Sequence, residues 1–427
     1  MTRDITSASS RRRFLKTTGA GAGIATLAGC LVGDDDDDGD TGGGDDATGG
    51  NGDGGDDDAE PITIAGLQPY SGPFALYGDT HTEGIEYAIE EINANGGIDG
   101  RPLEHDAIDT ESAPGEAATI LTNQVESEDA IAAVGPVSSD VGVTASQTAE
   151  DLGVPLYLHA AGNLDILDKD SRYTFRTALP PAPAFIQAVA DIIDSKGFDT
   201  VGAINGDYAW GISAETAIDR VFPDDLDLTS AMAPAGESDF VPYLRDMPDD
   251  LDILVGSGHP PGLNDMFRQM LEIDLEPELF TAAVSPPEAS YGAIGDDVAN
   301  GFTFGHLPDV YSEEYQEIAE QFSEDTGEYF GPTQAAGYVT GHLIAEGLRE
   351  ADEISRDGLS DAMRDIEFDT IYAEPIQYTE WGELDQFQLI WSGFELDAPD
   401  YYPENDFDLV EEFRTDTLDA TDPEDFA

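Results

Sequence analysis

The loop Gly135-Pro136-Val137-Ser138-Ser139 carries side chains whose type and spacing suit them to bind an anion. It follows a short apolar run and precedes a helical pattern that begins at Val141, and the first N–H groups of a helix have no partner within the helix. Hydroxyls and free N–H groups at the positive end of a helix favour a carboxylate. Helix capping by the two serines alone is the competing interpretation, although one serine can do both.

Two aromatic residues, Tyr208 and Trp210, lie in the segment NGDYAWGIS, which also follows an apolar run. Either ring can cover an apolar group while offering an O–H or N–H donor to a ligand. A buried aromatic residue at the entry of a helix is the competing interpretation for each of them.

No motif in the chain indicates catalysis. There is no G-x-S-x-G nucleophile turn and no H-E-x-x-H metal motif, and the six histidines are scattered. His159 falls in one of the loops of interest, but a lone histidine is more often structural. Cys30 is the only cysteine, so no intramolecular disulfide or cysteine-based metal site can form. We expect a protein that is not an enzyme and that uses no cofactor or metal.

The elements that must position these loops alternate between strand and helix. The first series is predicted to have strands at 62–67, 103–109, 130–134 and 155–158, with helices at 83–95, 117–125 and from 141. The second has helices at 185–195, 212–222 and 263–272, with strands at 200–204, 251–256 and 279–282. This alternation implies parallel sheets with helices on both faces. The predicted fold class is α/β, with two doubly wound, Rossmann-like lobes.

Three motifs carry a family resemblance: Ser71-Gly72-Pro73 with Tyr77-Gly78, Asn95-Gly96-Gly97-Ile98 with Gly100-Arg101-Pro102, and Gly135-Pro136 with Ser138-Ser139. Together they resemble the branched-chain amino acid type solute-binding proteins of ABC importers, which have the type I periplasmic-binding fold. The similarity covers most of residues 61–345. It implies two lobes joined by several crossover strands, with residues 61–180 and 306–376 in lobe 1 and residues 181–305 and 377–427 in lobe 2.

The resemblance also implies a ligand site in the cleft between the lobes. Ser138 and Ser139 would hold the carboxylate and polar end of the ligand, and Trp210 matches the position of the family's second aromatic residue. The residues assigned to the cleft in this way are Tyr77, Ser138, Ser139, Ala160, Tyr208 and Trp210.

Two departures from the family pattern concern the ligand. Members that bind amino acids have a threonine where this chain has Gly162, and a glutamate for the ammonium where this chain has Ala283 or Val284; Glu288 comes four or five residues too late. An ammonium buried without a carboxylate costs several kcal/mol. Amides, urea-like solutes, aromatic acids and other short carboxylates are therefore alternatives to an amino acid, and Asp207 is a candidate replacement for the missing charge.

The N-terminal segment predicts export and a lipid anchor. Residues 10–16, SRRRFLK, resemble a twin-arginine signal, and Leu27-Ala28-Gly29-Cys30 resembles a lipobox whose cysteine is acylated. Residues 1–30 are thus interpreted as the signal. Residues 31–60 hold 13 acidic side chains and no basic one, which is typical of a disordered, extended tether. We expect a protein at the cell surface, outside the cytoplasm, anchored to the membrane by a lipid on Cys30.

The composition points to a saline environment. From residue 61 onward the chain has 12 basic and 77 acidic side chains, a net charge of −65. Molar salt, with a Debye length of about 3 Å, removes most of the repulsion that such a surface creates. We therefore predict a haloarchaeal or otherwise strongly halophilic source. The charge argues against nucleic acid as a partner, because binding to phosphates requires clustered Lys and Arg.

The function predicted from the sequence is that of an extracytoplasmic solute-binding protein that delivers a small organic solute to the permease subunits of an ABC importer. A sensory binding protein of the same fold, which signals to a transmembrane transducer, is the first alternative. A structural cell-surface protein is the second, and the absence of N-x-S/T sequons after Cys30 argues modestly against it.

Overall fold

The computed structural model describes residues 59–426 of the chain, so the predicted signal, Cys30 and nearly all of the predicted tether lie outside the described residues. The first sheet has five parallel strands in the order β2-β1-β3-β4-β5. These strands are β1 (Ile62–Gln68), β2 (Leu103–Asp109), β3 (Ala132–Val134), β4 (Leu156–Leu158) and β5 (Thr174–Arg176).

The second sheet has seven strands in the order β14-β13-β10-β9-β8-β6-β7. The five strands from β6 to β10 run parallel, and β13 and β14 add an antiparallel edge. The strands are β6 (Thr200–Asp207), β7 (Asp227–Pro234), β8 (Ile253–Ser257), β9 (Leu279–Ala282), β10 (Phe302–His306), β13 (Ile390–Glu395) and β14 (Asp408–Arg414). A separate two-stranded hairpin is formed by β11 (Gln377–Tyr378) and β12 (Leu384–Asp385).

Helices connect most of the parallel strands, because parallel neighbours need a crossover connection. They are α1 (Ala75–Ala94), α2 (Pro114–Ser127), α3 (Ser139–Leu152), α4 (Ala182–Lys196), α5 (Ala209–Val221), α6 (Val241–Leu244), α7 (Gly262–Glu272), α8 (Pro287–Ile294), α9 (Glu313–Thr326), α10 (Pro332–Glu350) and α11 (Arg356–Asp365). None of the helices described is long and apolar enough to cross a membrane.

The predicted fold class is confirmed: the described chain is an α/β protein with parallel sheets and two lobes. The predicted strands at 103–109 and 279–282 have the observed bounds. Two differences from the prediction bear on the site. The first helix begins at Ala75, eight residues before the predicted start, and the strand β7 was missed.

The long connection after β10 carries α9 and α10, and α10 packs along α1 on the side of the first sheet. The chain then passes through α11 and the hairpin before β13 joins the second sheet next to β10. Several segments therefore connect the two sheets. The lobe boundaries proposed from the sequence, at 180, 305 and 376, stay a prediction.

Candidate ligand-binding site

The candidate site lies where the carboxyl ends of strands from the two sheets meet. The strand order reverses between β1 and β3 in the first sheet and between β8 and β6 in the second, and such reversals are where doubly wound sheets bind ligands. One cavity is lined from both sides, by Phe74, Tyr77, Val137, Ser139, Ala160, Leu179, Tyr208, Trp210, Gly258, His259, Ala283 and Val284.

Five of the six residues predicted for the cleft line this cavity, namely Tyr77, Ser139, Ala160, Tyr208 and Trp210. The sixth, Ser138, is buried directly before α3 and does not line it. The structure thus brings together residues that are far apart in the sequence. Their contact with a ligand stays a prediction.

The loop before α3 presents a donor to the cavity. Gly135 has a φ of 96°, and a Cβ there would lie 2.4 Å from the carbonyl oxygen of Leu67, so only glycine fits this turn. The side chain of Ser138 makes no capping hydrogen bond, so capping alone does not explain that serine. Ser139 Oγ accepts a hydrogen bond of 3.2 Å from the backbone N–H of Asn163. Its own O–H remains free to donate.

Trp210 explains one departure from the family pattern. Its ring lies against Gly162, where an added Cβ would be 2.3 Å from Cζ3 of the indole. The indole therefore fills the space of the side chain that the family pattern places at that position. Trp210 is 4% exposed, and its Nε1 is buried without a hydrogen-bond partner among the described residues. An unpaired buried donor costs about 1–3 kcal/mol, so a ligand acceptor at this N–H would stabilise the site.

Among the described residues, none of those that line this cavity is Asp, Glu, Lys or Arg. Ala283 and Val284 line it at the position where the family pattern predicts the carboxylate for an ammonium. Glu288 lies instead in α8, where it accepts a 3.2 Å hydrogen bond from Gln334. Asp207 is exposed and is not a lining residue. The site offers hydrogen-bond donors but no carboxylate to pair with an ammonium.

Phe74 and His259 close the cavity, and neither was predicted from the sequence. Their ring centroids are 4.0 Å apart, and the Tyr208 ring contacts both of them edge-on. His259 Nδ1 is 2.8 Å from the carbonyl oxygen of Pro260, to which it donates. Burial lowers the pKa of His259, so at neutral pH the imidazole is uncharged.

Two hydrogen bonds connect the walls of the cavity. Tyr77, in the first turn of α1, donates from its hydroxyl to the carbonyl oxygen of Val284 at 3.0 Å, and Asn163 Nδ2 donates to the carbonyl oxygen of Ala209 at 2.8 Å. The cavity has a volume of about 20 Å³, which is room for about one water molecule. A larger solute therefore requires the two walls to separate or the rings to move.

Two buried histidines, His81 and His159, lie behind the Tyr77 ring, and His105 is half-buried with both of its ring nitrogens inaccessible to solvent. The imidazoles of His81 and His159 are stacked with centroids 3.5 Å apart, and His159 contacts Tyr77 edge-on. Burial lowers the pKa of His159 to about 3 and that of His105 to about 4. His159 does not line the cavity. Among the described residues no group of three His, Cys, Asp or Glu side chains is arranged to hold a metal ion.

Three of the other lining residues could have been found from strand ends alone. Gly258 and His259 follow β8, and Leu179 follows β5 closely. Residues at the carboxyl ends of parallel strands face the ligand crevice in such folds. The position of His259 after a predicted strand therefore indicated that it faces the crevice, although no sequence motif surrounds this histidine.

The sequence matches a known family over most of its length. The family described as periplasmic binding protein matches residues 61–387, and the chain belongs to this family. Its members are solute-binding proteins and not enzymes.

Curated relatives include proteins named for amino acid binding. The leucine-, isoleucine-, valine-, threonine-, and alanine-binding protein of Pseudomonas aeruginosa is 24% identical over 349 residues, which cover 80% of this chain and 91% of that protein. The Leu/Ile/Val-binding protein homolog 7 of Brucella abortus is 36% identical over 138 residues, 32% of this chain. The chain matches only 33% of the length of the Brucella relative.

Solved structures show the same fold. The leucine binding protein of Thermotoga maritima has a TM-score of 0.71 at 18% identity, covering 83% of this chain and 99% of that one. A solute binding protein of R. palustris in complex with benzoate has a TM-score of 0.71 at 19% identity, covering 84% and 98%.

Proposed function

We propose that this protein is the extracytoplasmic solute-binding component of an ABC importer. It closes around a small organic solute between the two lobes and delivers that solute to the permease subunits. The solute belongs to the amino-acid-like compounds, amides and carboxylates, and the chemistry of the site favours a carboxylate without an ammonium group.

The observation that carries this proposal is the cavity lined from the carboxyl ends of both sheets, with donors and no charged side chain among its described lining residues. Ser139 O–H, Trp210 Nε1–H and the first N–H groups of α3 can all donate to a carboxylate. An ammonium would have no anionic partner there and would lose several kcal/mol of binding free energy. The benzoate in the R. palustris structure supports a carboxylate as a solute that this fold accepts.

The predicted location of the protein, outside the cytoplasm and anchored to the membrane, rests mainly on N-terminal residues that the structure does not describe. We infer that a lipid on Cys30 anchors the mature chain to the membrane and that residues 31–60 form a solvated tether. The strong negative charge suits a surface that faces concentrated salt.

Thermal unfolding in multimolar salt tests the proposed function, with leucine, isobutyramide, isobutyrate and benzoate as probes. A probe at about 100 times its dissociation constant stabilises the folded state by about 2.7 kcal/mol. We expect at least one carboxylate probe to raise the melting temperature of the wild type and to lose this effect in Trp210→Ala. The proposal would be wrong if no probe of any class stabilised the wild type. It would also be wrong if the stabilisation survived unchanged in both Ser139→Ala and Trp210→Ala.

A further inference from the structure

A second cavity, of about 260 Å³, lies beside the candidate site. The two cavities share Tyr208, Gly258 and His259 as lining residues. These residues therefore form the wall between them, and a movement of the rings would join the two spaces.

The second cavity lies at the carboxyl ends of three parallel strands. Asn205 and Gly206 come from the end of β6, Ala233 and Pro234 from the end of β7, and Gly258 follows β8. This is the reversal of strand order in the second sheet, where ligands of doubly wound folds bind. A protein cavity of about 150 Å³ is enough to hold benzene, so the volume is sufficient for an aromatic ring or a short alkyl chain.

The lining of the second cavity is mainly apolar, and its charged members are negative. The apolar part consists of Ile204, Ala233, Phe240, Leu263 and Met266, together with prolines. Glu237 and Asp265 also line the cavity, while no Lys or Arg does so in the described chain. A second carboxylate on a solute would therefore be repelled from this space.

The two carboxylates already have partners within the protein. Glu237 Oε1 accepts hydrogen bonds from the backbone N–H groups of Ser238 and Asp239 at 2.8 and 3.0 Å. Asp265 forms an ion pair of 3.1 Å with Arg268. Neither requires a ligand cation.

Asn205 has a buried acceptor that is without a partner. The residue is 0% exposed, its Nδ2 donates to Glu215 Oε2, and its Oδ1 accepts no hydrogen bond from any described residue. Buried amide oxygens are nearly always hydrogen-bonded. Because Asn205 lines the second cavity, a donor on a ligand in that cavity would satisfy this oxygen.

We propose that the second cavity is a subsite for the far end of the transported solute. This inference rests on the proposed function, since the carboxylate end is held at Ser139 and Trp210. The solute is then a monocarboxylate with no α-ammonium, an apolar body such as an aromatic ring, and an uncharged hydrogen-bond donor at its far end. The body displaces the rings of Tyr208 and His259 and enters the second cavity, where the donor meets Asn205 Oδ1.

Calorimetry on the wild type with four probes tests this solute class: isobutyrate, phenylpropionate, para-hydroxyphenylpropionate and phenylalanine. Burial of the ring should make phenylpropionate bind at least about tenfold more tightly than isobutyrate. The para-hydroxyl should add about two- to tenfold through Asn205. Phenylalanine, which differs from phenylpropionate by its ammonium, should bind about 100-fold more weakly.

Gly262→Leu tests the location, with Gly262→Ala as the matched control. Gly262 lines the second cavity and not the candidate site, and a Cβ there would lie at ordinary contact distance, 3.5 to 3.8 Å, from atoms of Glu237 and Phe240. We expect Gly262→Leu to weaken phenylpropionate binding about tenfold or more while isobutyrate binding and the melting temperature stay unchanged. Gly262→Ala should retain most of the wild-type affinity for both probes.

The outcomes separate the subsite from the proposed function. If isobutyrate and phenylpropionate bind equally well to the wild type, or if Gly262→Leu leaves phenylpropionate binding unchanged, the subsite is overturned while the solute-binding function stands. Loss of isobutyrate binding in Gly262→Leu also overturns it, because the residue would then support the whole site. If none of these four probes binds, the subsite is overturned, and the proposed function falls only if the thermal-unfolding probes fail as well.

Discussion

Glu383→Gln should destabilise the protein strongly, because Glu383 neutralises a fully buried arginine. The side chains of Arg176 and Glu383 are 0% and 2% exposed, and Arg176 Nε donates to both carboxylate oxygens at 2.8 and 3.0 Å. The guanidinium also donates to the backbone carbonyls of Ala161 and Asn163. The ion pair thus connects the β11–β12 hairpin to the loop that carries Ala160 into the candidate site.

Removal of one partner from a buried ion pair costs about 3–5 kcal/mol, because the other charge is left uncompensated. Unfolding entropy of about 2.1 cal/mol/K per residue gives about 0.8 kcal/mol/K for residues 59–426. The melting temperature of Glu383→Gln should therefore fall by about 4–6 °C. The double variant Arg176→Met/Glu383→Leu should remain destabilised, because two buried carbonyls lose their donors at about 1–3 kcal/mol each.

The assay is thermal unfolding at one fixed multimolar salt concentration, with Asp422→Asn as the matched control. Asp422 pairs with Lys169 at 2.8 Å, and these side chains are 40% and 33% exposed. Solvent screens an exposed pair of this kind, so its removal should lower the melting temperature by about 1 °C or less. The reasoning would be refuted if Glu383→Gln lowered the melting temperature no more than Asp422→Asn does.

Three further predictions concern anchoring, salt and pH. Cys30→Ser should abolish the lipid on the mature N-terminus and either release the protein or leave its leader uncleaved. An intact-mass measurement that shows a lipid-free native terminus beyond Cys30 would contradict the predicted lipid anchor. Dilution from about 1 M to about 0.1 M salt lengthens the Debye length from about 3 to 10 Å, so the melting temperature should fall, and a constant value contradicts the halophilic interpretation. Burial lowers the pKa of His105 to about 4 and that of His159 to about 3. The folded state therefore binds fewer protons than the unfolded state, and each histidine should cost about 2 kcal/mol of stability as the pH falls from about 6.5 to 5. His105→Gln should lose less stability than the wild type over this range, and parallel curves of unfolding free energy against pH would contradict the assignment.

The positions of Ser139 and Trp210 were predictable because strand ends are predictable. Each residue follows a short apolar run between helical patterns, and its length and position favour a buried parallel strand. Once the runs that became β3 and β6 were recognised, the loops after them had to lie at the crevice edges of their sheets. The meeting of the two edges in one cavity was not derivable from the pattern and came only from the family resemblance.

The start of α1 was not predictable from local sequence. Its first two turns include Gly78, Asp79, Thr80 and Thr82, which are weak helix formers, so the apolar periodicity becomes visible only near Ile85. The helix is fixed there by packing, since a Cβ at Gly78 would lie 2.3 Å from the carbonyl oxygen of Pro69. This close contact with the loop after β1 places Tyr77 in the wall of the site.

Phe74 and His259 were missed for a related reason. Phe74 lies directly before α1 and His259 follows β8, so their rings meet only because the two sheets approach each other. The second cavity could not be predicted from the sequence either. Residues at the end of β7 form one of the walls of this cavity, and β7 was not recognised as a strand.

The most direct test of the central claim is calorimetry of the carboxylate probe that binds the wild type most tightly, repeated with Ser139→Ala and Trp210→Ala. Ser139→Ala removes a hydrogen bond to a charged group, worth about 1.5–3 kcal/mol, so its affinity should fall about ten- to a hundredfold. Trp210→Ala should also weaken binding and shorten the residence time of the probe, while melting curves show that both variants are folded. Wild-type affinity in both folded variants would mean that the solute binds elsewhere and would contradict the assignment of this site.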